Sequence, residues 1–295
     1  MLSRLTPQKA LLAALTAVCC CLRQPTTGTL QAEDPPAAKP PRIALLSPLG
    51  VIPGQTNRLL LRGWALKDAT ALSPDSPAIQ ITVVSHASAT IPGKQKAEQI
   101  GDEQLELDIV VPADHATGQM QLLLRTAAGE SAPRRVPVGS SLPLLQEQEP
   151  NDGFRNAQQV NIPQVINGSI HADTNVDVYA FEILQPVRLL IQVEAAALGS
   201  NLDALLTLLR DDGSILLSHD DNRNATDTAT AAAAAPTPGN STEAPQRDAR
   251  LLVNLQPGRY LVTLQDAHDR GGPAHPYRLT LQTTDEVARK DNSTN

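Results

Sequence analysis

The chain has 295 residues, with 24 basic and 31 acidic side chains, a net charge of −7 and only 2% aromatic residues. An acidic surface disfavours nucleic acid and anionic membranes as partners and favours cations or basic partners. The scarcity of rings also removes the stacking platforms that sugar- and single-strand-binding surfaces usually offer.

The N-terminus reads as a secretory signal. Arg4 and Lys9 form a short basic region ahead of "ALLAALTAVCCCL" (Ala10–Leu22), an apolar run too short to span a bilayer comfortably. Polar, turn-forming residues follow, with Ala32 as the expected last residue before cleavage, so residues 1–32 are set aside as a signal peptide. All three cysteines, Cys19, Cys20 and Cys21, fall inside it. A mature chain would therefore hold no disulfide, no thiol nucleophile and no thiolate zinc site. Val18 is a poor fit to the small residue that lipid attachment at Cys19 wants, so a secreted or envelope protein is expected in preference to a lipoprotein. Removing residues 1–32, which carry three basic side chains and no acid, leaves 21 basic against 31 acidic groups, a net charge of about −10. No later segment is long and apolar enough for a membrane-spanning helix.

Residues 33–42 form a proline-rich spacer, extended and outside any core. From Ile43 the pattern turns to short period-two runs. Leu59 and Leu61 share one face of "TNRLLLRG", and Ile79, Ile81 and Val83 alternate in "IQITVVS". Leu105, Leu107, Ile109 and Val111 alternate in "LELDIVV", as do Met120, Leu122 and Leu124 in "QMQLLLRT". Proline and glycine breakers separate these runs, which predicts a β-sandwich over residues 43–140. Residues 141–284 repeat the style. Asp177, Tyr179, Phe181 and Ile183 share a face, "VRLLIQVEA" and "DALLTLLRDDG" read as strands, and Asp211-Asp212-Gly213 reads as a turn. "RLLVNLQPGRYLVTLQDA" reads as a hairpin around Pro257-Gly258, and Tyr277, Leu279 and Leu281 face inward in the last strand. Residues 224–248, rich in Ala, Thr and Pro, read as a disordered insertion, and 285–295 as a polar tail. The fold class expected is all-β, two sandwiches in series.

Chemistry is sparse in this pattern. The chain has no H-E-x-x-H, no G-x-S-x-G and no P-loop. His171 with Asp173, and His219 with Asp220 and Asp221, are the nearest approach to a base and its orienting acid; exposed histidines in turns are the simpler reading. The acidic stretch "QEQEPNDGF" (Gln146–Phe154) is a better lead. Glu147 and Glu149 are two apart, so on an extended chain they point the same way, and Pro150 keeps Glu149 extended. Asn151-Asp152-Gly153 then turns, and a second acidic group follows at Asp173 and Asp177. Hard cations such as calcium take six to eight such oxygens. On the residues alone, a solvated acidic linker and a cation site both remain open.

From Glu147 to Gln282 the chain resembles the bacterial pre-peptidase C-terminal domain, a β-sandwich appended to secreted peptidases and other exported proteins. The resemblance is carried by "EQEPND", "NGSIHADTNVDVYAFEI", "LDALLTLLRDDGSILLSHDDN" and "LQPGRYLVTLQDAHDRGGPAHPYRLTL". It implies a structural calcium ion held by the lead-in acids and by the loop before the aspartate-x-Tyr-x-Phe strand. Carried over residue by residue, the ligands implied are Glu147, Glu149, Asn151, Asp152, Asp173 and Asp177, with Asn175 as a substitute in its loop. Two departures matter: residues 224–248 interrupt the family pattern, and no aromatic collagen-binding surface is evident, since Tyr179, Phe181, Tyr260 and Tyr277 fall on strand faces and read as core.

Upstream, Arg42 to Gly139 is similar to immunoglobulin-like TIG domains, with Trp64 read as a packing residue. The expected function is that of a non-catalytic, calcium-stabilised exported protein that binds or positions something at the cell surface or outside the cell. An adhesin-like module for an extracellular protein or polysaccharide is the alternative, and a hydrolase with a scattered site the third reading.

Overall fold

The computed structural model describes residues 38–92, 95–220 and 248–284. The expected signal peptide, residues 33–37 of the proline-rich spacer, residues 224–247 of the insertion and the tail lie outside them. The regular secondary structure of the described residues is nearly all strand. The first half carries β1 (Arg42–Ser47), β2 (Thr56–Trp64), β3 (Thr70–Leu72), β4 (Gln80–Ser88), β5 (Glu103–Val110), β6 (Gly118–Thr126), β7 (Gly129–Glu130) and β8 (Arg134–Val138). A single helical turn, α1 (Ala97–Ile100), connects β4 to β5. One sheet runs β1-β2-β5-β4; the other runs β3-β6-β7, with β8 also pairing β6. Leu59, Leu61, Leu105, Leu107 and Ile109 from the first sheet meet Met120, Leu122, Leu124, Val136 and Val138 from the second, all nearly or fully buried. These are the period-two residues of the sequence, and burying each such side chain contributes about 1.5–3 kcal/mol. Trp64 is only half-buried: its indole donates to the Ala97 carbonyl at 3.1 Å and the Arg42 guanidinium lies over its ring.

The second half carries β9 (Leu144–Gln146), β10 (Gln158–Gln159), β11 (Gln164–Ser169), β12 (Asp177–Ile183), β13 (Val187–Glu194), β14 (Ala204–Arg210), β15 (Ile215–His219), β16 (Arg250–Leu255), β17 (Gly258–Asp266) and β18 (Pro276–Thr283). Its sheets run β10-β12-β17-β14-β15 and β16-β13-β18-β11-β9. Tyr179, Phe181, Leu206, Leu208, Val262 and Leu264 pack from one sheet against Ile166, Leu189, Ile191, Val193, Tyr277, Leu279 and Leu281 from the other. The Asp211–Gly213 turn joins β14 and β15 as expected, with Gly213 at φ +83°.

The hairpin expected at Pro257-Gly258 does not form. β16 pairs with β13, whereas β17 pairs with β12 and β14 in the opposite sheet. The turn is an arch between layers. Leu251 and Leu255 thereby face Tyr260, Val262 and Leu264 across the core, a burial that side-by-side pairing within one sheet could not supply.

The two sandwiches touch, and the described residues form one compact unit. Leu45, Ile100 and Ala274 form a small apolar contact between them. Beside it, Arg278 donates from Nη2 to the Gly139 carbonyl at 2.8 Å, and Gln95 donates to the Gly271 carbonyl at 3.0 Å. A Cβ on Gly50 would lie 2.6 Å from the Arg278 guanidinium, so glycine there makes room for it.

Candidate metal centre

Strand order explains how a polar cluster comes to lie at the edge of an apolar core. β9 pairs in parallel with β11, and the Glu147 amide extends that ladder by donating to the Asn167 carbonyl at 2.9 Å. The chain then leaves this sheet, and β10 pairs in parallel with β12 at the edge of the other. Residues 147–157 thus close one lateral seam of the second sandwich. Asn151 is fixed midway, its carbonyl accepting from the Val178 amide at 3.0 Å. The outer face of β12 is covered too: Val178 and Ala180 pack with Leu209 and Leu261 under Ala157. β12 is therefore buried on both faces, which draws Asp177, its first residue, fully out of water.

Glu147, Glu149 and Asp177 each bring a carboxylate oxygen within 4.8 Å of the others. Glu147 Oε2 accepts from the Ser169 amide at 2.8 Å, and its Oε1 faces the Asn151 amide nitrogen at 3.2 Å and the Tyr277 hydroxyl at 2.8 Å. Tyr277 also lies 2.6 Å from Asp177 Oδ2, and the hydroxyl of Tyr179 joins the same knot. One ring comes from each sheet. Gly168 stands opposite Tyr277 on β11, where a Cβ would sit 2.4 Å from the phenol oxygen, so only glycine lets that ring lie across the strand. Glu149 Oε2 accepts from the Asn151 amide at 3.0 Å, and Glu149 Oε1 pairs with His171 Nδ1 at 2.6 Å.

Charge in this seam is unbalanced. Burial, then hydrogen bonding and repulsion from Glu147, push the Asp177 carboxyl up to about 10, against the pull of the Tyr277 hydroxyl. Burial and the nearby carboxylates also raise Tyr179 and Tyr277, which stay protonated donors. Two buried oxygens have no partner: Asp177 Oδ1 and Asn151 Oδ1, on residues with no exposed surface. Buried polar atoms in folded proteins nearly always find one. The donor set is hard oxygen throughout, without a thiolate, and fits a cation of the calcium type in chemistry.

The six residues implied by resemblance divide in the structure. Glu147, Glu149, Asn151 and Asp177 converge. Asp152 is exposed, with Oδ1 accepting from Asn175 Nδ2 at 2.7 Å; Asn175 Oδ1 in turn takes the His171 amide. Asp173 is exposed as well, and its Oδ1 accepts from the Gly271 amide at 3.1 Å. These two aspartates brace the loop behind the cluster. His171, read from the sequence beside Asp173, pairs through Nδ1 with Glu149. Sequence reasoning took Tyr179 and Tyr277 for core alone; their rings are core, but their hydroxyls form the inner wall of the site. A signal existed: a buried tyrosine needs a partner for its hydroxyl, and acids lie two residues before Tyr179 and at the chain's lead-in.

No family model matches the chain, and no curated protein sequence matches it. Among solved structures, the pre-peptidase C-terminal domain of collagenase from Bacillus anthracis is similar at 14% identity, over 46% of this chain and 100% of that one, with a TM-score of 0.30. The SGBP-B protein of the Bacteroides ovatus mixed-linkage glucan utilization locus, solved with a mixed-linkage heptasaccharide, is 12% identical over 77% of this chain and 74% of its own, with a TM-score of 0.23. SGBP-B from a xyloglucan utilization locus of Bacteroides uniformis gives 12%, 83%, 74% and 0.22. Scores this low place no residue of the site.

Proposed function

We propose that the protein is a non-catalytic exported binding protein of two β-sandwich modules, residues 43–140 and 141–284, the second stabilised by calcium. The observation that carries this reading is the pair of partnerless buried oxygens, Asp177 Oδ1 and Asn151 Oδ1, beside the Glu147 and Glu149 carboxylates. Those four residues would hold the ion, with water completing its shell; Asp152 and Asp173 would support the loop. When bound, calcium would supply positive charge beside the buried Asp177 carboxylate, the half-buried Glu147 and the exposed Glu149. The chain's own residues do the rest. Ser169 and the two tyrosines orient Glu147, Gly168 admits the Tyr277 ring, and the Glu149 to Asn151 turn brings the lead-in segment against β12. Ion binding is thereby folding of the seam, and it ties the segment between the sandwiches to the second core. A place outside the cytoplasm, where free calcium is plentiful and cysteine-free folds need other staples, suits this design.

Calorimetry with metal-stripped protein tests the reading. Saturating calcium at a hundred times its dissociation constant contributes about 2.7 kcal/mol, so the melting temperature should rise by roughly 5 °C or more. Residues 140–180 should also become resistant to limited proteolysis. Identical melting curves in calcium and in chelator would overturn it.

A further inference from the structure

The junction between the sandwiches gathers an unusual share of partnerless polar atoms. Among the described residues, thirteen buried side-chain nitrogens and oxygens have no hydrogen-bond partner, and six lie on residues at this junction: Asn167 Nδ2 and Oδ1, Arg278 Nη1, Gln282 Oε1, Gln95 Oε1 and Arg134 Nε. Three of the residues, Asn167, Arg278 and Gln282, belong to the outer face of one sheet. Register fixes that face. Tyr277, Leu279 and Leu281 of β18 point into the core, as do Ile191 and Val193 of β13. Arg278, Thr280 and Gln282 therefore point out, with Glu194 opposite Arg278 and Gln192 opposite Thr280.

A cleft of about 540 Å³ opens over this ladder, roofed by residues of the first sandwich and the connecting segment. Its size falls in the ordinary range for small-ligand sites, about 300–1,000 Å³. Among the described residues, Arg278 and Glu194 are its only charged lining side chains, and they balance. No aromatic ring lines it; the rest is mainly amide and hydroxyl, with Gln119 and Ser140 above and Gln192, Thr280 and Gln282 below. Arg278 itself is 5% exposed, and burial holds its guanidinium below its ordinary range.

We propose that this cleft binds a neutral, polyhydroxylated ligand, a segment of uncharged glycan, by hydrogen bonds to Gln192, Thr280 and Gln282. A charged ligand would meet no spare counter-charge there. A lipid would meet too little apolar surface. A peptide strand is recognised through main-chain bonds at a sheet edge, whereas here the sheet presents its face, on which backbone groups are already paired. Hydroxyl groups, which donate and accept at once, match side-chain amides that do the same. Without a stacking ring, recognition rests on these bonds, so affinity should be sensitive to each amide. The inference rests on the reading of the protein as a binding module, but not on the metal centre.

Titration calorimetry of the full, calcium-loaded chain against cello-, xylo-, malto- and mannohexaose, with hexagalacturonate as the anionic control, tests it. At least one neutral hexaose should bind, and Gln192→Ala with Gln282→Ala should weaken it by about tenfold or more with the melting temperature unchanged. The nearly isosteric Thr280→Val should weaken it about threefold and serves if the double variant misfolds. Absence of binding by all four neutral sugars, equal binding by the variants, or preference for hexagalacturonate overturns the cleft. A parallel screen against immobilised extracellular proteins and polysaccharides separates the two readings. Capture that the variants do not alter leaves the binding module standing and the cleft refuted; no capture at all removes both.

Discussion

Two aspartates are buried in the second sandwich, and they meet opposite fates. Asp266, at the end of β17, has a carboxylate with no exposed surface, yet its proton affinity is lowered. Burial alone would raise it. The Arg270 guanidinium and the amides of Asp203, His268 and Arg270 outweigh that, with Arg270 Nε at 3.0 Å. Asp177, at the start of β12, is equally sequestered, but it faces Glu147 and Glu149 and is pushed up to about 10. Same residue type, same burial; the difference is a cation. Asp266 carries its own in Arg270. Asp177 has the oxygens for one, and among the described residues no arginine or lysine pairs with it.

Substitution sharpens the contrast, since the two sites should respond with opposite sign. Asp266→Asn leaves Arg270 without its carboxylate and sets an amide nitrogen against backbone donors. The loss should be on the order of 3 kcal/mol, read from urea unfolding, with or without calcium. Asp177→Asn removes a buried acid that the metal-free protein can keep only by protonating it. In chelator this variant should match or exceed the parent by about 1 kcal/mol, while its calcium-induced rise in melting temperature is lost. A variant destabilised equally in calcium and in chelator would mark Asp177 as an ordinary hydrogen-bonding residue and remove the cation from the comparison.

Much of this was legible beforehand, and for a physical reason. The alternation of Leu105, Leu107 and Ile109, or of Met120, Leu122 and Leu124, reports a one-sided burial that any sandwich must have. Spacing likewise placed Glu147 near Glu149. Pairing partners were less readable. Pro257-Gly258 has the chemistry of a tight turn, but a local signal cannot say whether the next strand lies beside the last or across the core from it. The inner wall of the site was missed on similar grounds: Tyr179 and Tyr277 are 98 residues apart, and only the packing of two sheets brings their hydroxyls together. Gly168 is an isolated glycine within β11, a known mark of close approach, yet what approaches it is set by β18.

The smallest expected effect is a slope of stability against pH, and it separates the two aspartates without mutation. Asp266 has a lowered folded-state value, so its contribution is complete above the unfolded aspartate value near 4 and is lost only as pH falls below it. Asp177 has a raised one. Its protonated form is the native form, so its contribution is complete below about pH 4 and drains away as pH rises toward 10. Metal-free protein should therefore lose stability with rising pH across neutrality, a range in which Asp266 is flat. His275, buried with both ring nitrogens partnerless and its proton affinity lowered chiefly by burial, adds an opposite slope below about pH 6.5, because its unfolded form takes up protons that the native form refuses. The decisive quantity is thus the difference between parent and Asp177→Asn, which cancels His275. That difference should change steadily between pH 5 and 9 in chelator. In calcium the ion displaces the Asp177 proton, so binding should release protons and tighten as pH rises. Proton release measured by calorimetry in buffers of unequal ionisation enthalpy reads this directly, and release that is the same in the parent and the variant would show that the proton belongs elsewhere.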